Sequence, residues 1–72
     1  MAIEKVTLPV ARKIARMTQK ELAVAVGVSE STVINWEKER SEPTVGQAKK
    51  ISEVTGIPLD SIIFLPTNTV KP

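Results

Sequence analysis

The side chains that can do chemistry in this chain are chiefly hydrogen-bond donors and acceptors, and the usual general base and the usual zinc ligands are missing. There is no histidine and no cysteine. Their absence removes the serine-hydrolase triad, most zinc sites and any disulfide framework. What remains is concentrated. Gln19, Ser29, Glu30, Ser31, Thr32, Asn35, Lys38 and Arg40 all fall in the stretch Thr18–Arg40, TQKELAVAVGVSESTVINWEKER. Asparagine can pair bidentately with adenine, glutamate can accept from cytosine N4, and serine tolerates either partner. A glutamine opening a helix, beside unpaired backbone N–H groups, can hold a phosphate oxygen. These are candidate contacts to a nucleic acid, and no catalytic constellation accompanies them.

Such contacts need rigid elements beneath them. Thr18 and Glu21 have the spacing of a capping box, which starts a helix. Leu22, Ala23 and Val26 then share one face at helical spacing. Gly27 can end that helix in a left-handed conformation without a Cβ clash. Val28 is apolar and suits the corner, and Ser29 is a good N-cap for the next helix. Val33 and Trp36 form the inner face of that second helix. Its outward positions are then Glu30, Ser31, Thr32, Asn35 and Lys38. Two short helices across a glycine turn are the helix-turn-helix signature, with the second helix as the reader of a DNA major groove.

The flanking sequence completes a small bundle. Thr7 is the candidate cap of a first helix, with Pro9 in its first turn, running from Leu8 to Ala15 or Met17. Ala11, Ile14 and Ala15 are expected to face inward, and Lys13 and Arg16 outward. After the polar loop Ser41-Glu42-Pro43, a second capping box at Thr44 and Gln47 opens a helix through about Val54, with Ala48, Ile51 and Val54 inside. Gly56 stops it. Pro58 is expected to start a fifth helix, PLDSIIF, whose apolar residues are Leu59, Ile62, Ile63 and Phe64. The expected fold is all-α, a compact five-helix domain over residues 1–66 followed by a tail over 67–72.

Composition bounds the function. At 72 residues the chain is one domain with a limited core. The formal net charge of +2 permits nucleic-acid binding without arguing for it. No apolar run is long enough to span a bilayer, and the N-terminus lacks the order of a signal peptide, so a cytoplasmic protein with no membrane partner is expected. No cofactor, no metal and no enzymatic activity are expected.

The run Thr18-Gln19, Glu21-Leu22-Ala23, Gly27-Val28-Ser29, Thr32-Val33 and Trp36-Glu37, then Pro43, resembles the Cro/CI-type (XRE-like) helix-turn-helix family, whose fold is lambda-repressor-like. The resemblance covers roughly Leu8 to Phe64. It implies a transcriptional regulator on double-stranded DNA. It places Gln19 at a phosphate, Glu30, Ser31 and Asn35 at base edges, and Thr32 and Lys38 nearer phosphates, with Arg40 in reach of a phosphate or the minor groove. It also implies a structural ion pair between Arg12 and Glu37. Six of these residues have a plainer alternative: Gln19 and Glu30 as first-turn residues, Ser31 and Thr32 as helix surface, Arg12 and Arg40 as solvated charges.

Two departures from the family pattern stand out. Glu39 occupies a position where the family usually has glycine, so the third helix is expected to run on or end differently. Thr55 replaces a common leucine, leaving a thinner core beneath the fourth helix. The small size resembles the Cro-like repressors of temperate phages, and a homodimer on a palindrome follows, its surface expected around Ile62–Val70. The alternative is a phage antirepressor or modulator that binds a partner repressor protein through the same face. Val24 and Ile34 suggest such a patch, and Glu30, Glu37, Glu39 and Glu42 outnumber Lys38 and Arg40 along the stretch.

Overall fold

A computed structural model describes residues 5–64. The chain enters as a two-residue strand, β1 (Val6–Thr7), and continues into α1 (Leu8–Ile14), α2 (Gln19–Val26), α3 (Glu30–Glu37) and α4 (Val45–Thr55). A single 3-10 turn (Leu59–Ser61) then leads to a second short strand, β2 (Ile62–Ile63). The strands pair in parallel, Val6 with Ile62 and Thr7 with Ile63.

The fifth α-helix is therefore a correction: the described residues hold four α-helices, a 3-10 turn and a strand pair. The reason is local. Pro58 is extended at ψ 140°, and one turn anchored by the Ser61 N–H on the Pro58 carbonyl (2.8 Å) is all that follows. Starting a helix fixes several residues for one hydrogen bond. Ile62 and Ile63 are β-branched and favour the extended state, which here gains a partner in Val6–Thr7. Thr7 sits at the N-cap of α1 but its side chain makes no cap bond; Pro9 does occupy the first turn.

The core consists of Leu8, Ala11, Leu22, Ala23, Val33, Trp36, Ile51 and Ile62. Each helix contributes, so no helix can leave without exposing apolar surface. Val26 and Val28 pack against this cluster from the turn between α2 and α3, and Val54 from α4. Ile14 is not inside: it is 56% exposed. At roughly 100° per residue it lies well round the helix from the line of Leu8 and Ala11, and α1 ends there. The dimer surface expected around Ile62–Val70 is described only in part. Ile62 is buried and Phe64 packs on the core, while residues 65–70 and the tail over 67–72 lie outside the described residues.

Helix ends follow the capping chemistry. Thr18 and Glu21 exchange both bonds of a capping box (3.0 and 2.8 Å), as do Thr44 and Gln47 (3.1 and 2.9 Å). Gly27 ends α2 at φ +91°. A Cβ built there meets nothing within 4 Å, so glycine is favoured by the backbone angle and not by space. Thr55 acquires a role of its own at the end of α4. Its hydroxyl donates to the Ile51 carbonyl (2.8 Å) and accepts from the Ile57 N–H (3.3 Å), closing a helix end whose stop residue is Gly56.

Glu39 shows why α3 does not run on. It adopts φ +63°, the conformation a glycine would take. The Arg40 N–H donates to the Asn35 carbonyl (2.9 Å) and the Glu39 N–H to the Trp36 carbonyl (3.1 Å), a Schellman closure made with the wrong residue for the angle. A left-handed non-glycine residue costs about 1–2 kcal/mol, partly offset by the greater unfolded-state entropy of glycine. Glu39→Gly is therefore expected to raise stability by about 1 kcal/mol, read as an upward shift of a few degrees in thermal midpoint. A lower midpoint would refute the account.

Candidate nucleic-acid interface

The outward face of α3 is built from its N-cap. The Ser29 hydroxyl accepts from the Thr32 N–H (3.1 Å) and lies 2.9 Å from the Thr32 hydroxyl. Those two hydroxyls are thus partly committed to starting the helix. Val33 and Trp36 pin the opposite side into the core. The helix is fixed at its start by the cap, along its length by the core, and at its end by Glu39.

Between these anchors the remaining polar groups are left open. Glu30, Ser31, Lys38 and Arg40 are exposed, and Asn35 is half-buried. Among the described residues none of these side chains makes a hydrogen bond or ion pair. Glu30 is the first residue of α3, where the helix dipole also favours an acid. Arg40 follows the left-handed Glu39, so the loop direction at Arg40 is set by that turn.

Arg12 and Glu37 form a forked ion pair. Arg12 Nε donates to Glu37 Oε2 (2.7 Å) and Nη2 to Oε1 (3.3 Å). Their side chains are only 12% and 8% exposed. The third guanidinium nitrogen, Nη1, donates to the Met17 carbonyl (2.9 Å). Glu37 also accepts from Gln19 Nε2 (2.9 Å). Sequence reasoning missed this last bond. The residues lie at opposite ends of different helices, and the hint in the sequence was the expected Arg12–Glu37 pair, which brings α1 against α3. Gln19 is half-buried, with one of its two side-chain N–H donors already used.

The two apolar candidates part company. Val24 is 74% exposed on α2. Ile34 is half-buried yet is not among the residues packed on the core. It sits within the α3 surface between Glu30, Ser31 and Lys38 at helical spacing. The acidic residues are also unequal in effect, since Glu37 is matched by Arg12, whereas Glu30, Glu39 and Glu42 are exposed.

No group of potential metal ligands occurs among the described residues, and none of their helices is long and apolar enough to cross a membrane. No curated protein and no solved structure matches the chain. A helix-turn-helix family model matches residues 7–62, from β1 to the first residue of β2. With that match spanning the turn at Gly27, the capped third helix and the core beneath them, the chain belongs to the Cro/CI-type (XRE-like) helix-turn-helix family of DNA-binding, non-enzymatic domains.

Proposed function

We propose that the domain is a sequence-specific transcriptional regulator that inserts α3 into the major groove of double-stranded DNA. The observation that carries this reading is the polar face of α3: among the described residues Glu30, Ser31 and the half-buried Asn35 have no side-chain hydrogen-bond partner, on a helix fixed at both ends. In the proposed docking these three read base edges. Ser29, Thr32, Lys38 and Arg40 lie toward the backbone, and the α2 start with Gln19 meets a phosphate. A single short helix reads few base pairs, so two copies on a palindrome, about one helical turn apart, supply the specificity. The small Cro-like phage repressors are the model for this reading, and the cell interior is its setting.

Substitutions separate the roles. Asn35→Ala is expected to relax preference at one base pair, at a cost of about 1–3 kcal/mol toward the preferred base. Gln19→Ala is expected to weaken all sequences alike. The test is enrichment of binding sites from a random DNA pool, followed by anisotropy titrations across salt. A palindrome should emerge, with log affinity falling against log salt by about 0.9 per phosphate neutralised. If a folded protein enriches nothing, the reading fails.

A second reading has its own observation. Val24 is a large apolar side chain left 74% exposed beside the DNA-facing elements. With Ile34 and the exposed acids it suits a modulator or antirepressor that docks on a partner repressor protein. Binding of that kind would show a shallow salt dependence.

A further inference from the structure

Glu37 closes α3 and Gln19 opens α2, yet one carboxylate oxygen joins them. Oε1 of Glu37 accepts from Gln19 Nε2 (2.9 Å) and from Arg12 Nη2 (3.3 Å), while Oε2 accepts from Arg12 Nε (2.7 Å). Arg12 Nη1 holds the Met17 carbonyl (2.9 Å), just ahead of the α2 cap. The backbone entering α2 and the first side chain of α2 are thus tied to the same ion pair. The capping box uses the N–H groups of Thr18 and Glu21. The amides of Gln19 and Lys20 are the first-turn donors it does not use.

We propose that Glu37 is a positioning residue for a phosphate contact at the start of α2. By taking one N–H of the Gln19 carboxamide, it stops that side chain from rotating and leaves the second N–H for a phosphate oxygen. A glutamine held in this way has lost its rotamer freedom on folding and does not lose it again on binding. Arg12 is essential to the arrangement, because an unpaired carboxylate beside a phosphate would repel it. The same ion pair belongs to the helix that reads bases, so it fixes the phosphate contact relative to the base contacts. The inference rests on the docking proposed above.

The test is a cycle of variants on full-length protein: Gln19→Ala, the paired replacement Arg12→Met with Glu37→Met, and all three changes together. The paired replacement removes the acceptor of Gln19 without leaving a buried charge. Each is titrated against the enriched palindrome and against an unrelated duplex, with a thermal melt to verify folding. Gln19→Ala and the methionine pair should each weaken both duplexes by a similar factor, roughly threefold to tenfold. The triple variant should lose no more than either. Should the methionine pair bind like the parent, or the losses multiply in the triple variant, the positioning role is wrong while the phosphate contact stands. Gln19→Ala at parental affinity would overturn both. A measurement on the unsubstituted protein is independent of whether any variant folds: 15N relaxation of the Gln19 side-chain amide should report an ordered group before DNA is added. A mobile carboxamide in the free protein refutes the proposal.

Discussion

Trp36→Ala is expected to leave the domain largely unfolded at room temperature. Trp36 is 3% exposed, in a small core that among the described residues has eight buried members, drawn from the four helices and β2. Truncating a buried aromatic costs about 3–5 kcal/mol, because the lost contacts come with a cavity that the neighbours fill only in part. A domain of this size has little more than that to lose, since a single small core supplies about 3–5 kcal/mol of net stability. Far-UV circular dichroism against temperature measures the outcome. A cooperative melt near the parental midpoint would contradict the core assignment. Val24→Ala is the control: at 74% exposure it should change stability by no more than about 0.5 kcal/mol.

Local chemistry made most of the fold legible. The two capping boxes, Ser29 at the start of α3, and the left-handed glycines 27 and 56 each need only residues a turn apart. The inner faces of α2 and α3 follow from helical spacing, and Leu22, Ala23, Val33 and Trp36 are all buried. What escaped depended on distant partners. Ile62 and Ile63 show the apolar pattern of a short helix, but they extend because Val6–Thr7, at the other end of the described chain, offers a ladder. Ile14 is apolar three residues after the buried Ala11, but its place round the helix and the end of α1 together leave it outside. Glu39 argued from residue type for an α3 that runs on or ends differently, yet the backbone accepts a strained glutamate there and keeps the turn. The geometry that the fold needed outweighed the preference of one residue. The candidate site divides in the same way. Periodicity made Glu30, Ser31 and Lys38 legible as exposed, but it also put Thr32 and Asn35 outward and both are half-buried, and the bond between Gln19 and Glu37 required the crossing of α2 and α3.

Arg12→Ala is expected to cost about 3 kcal/mol, while the paired change to methionines costs little. The argument turns on desolvation. An exposed ion pair contributes at most about 1 kcal/mol, because water and salt screen it. At 12% and 8% exposure, Arg12 and Glu37 have little water left to serve either partner alone. Removing Arg12 leaves the Glu37 carboxylate with Gln19 as its one side-chain donor, and deprives the Met17 carbonyl of its partner. Breaking one side of a buried pair costs about 3–5 kcal/mol, and the residual exposure places this case at the lower end. Replacing both charges by methionine removes the stranded charge, and such swaps are often neutral or stabilising. Denaturant midpoints of parent, Arg12→Ala, Glu37→Met and the methionine pair form the cycle that separates these outcomes. Raising the salt should scarcely change the cost of Arg12→Ala, since a buried pair is poorly screened. A cost below about 1 kcal/mol that vanishes in salt would mean that water reaches the pair. Arg12 would then be an ordinary surface charge, and the link from α1 through Glu37 to the start of α2 would have little to hold it.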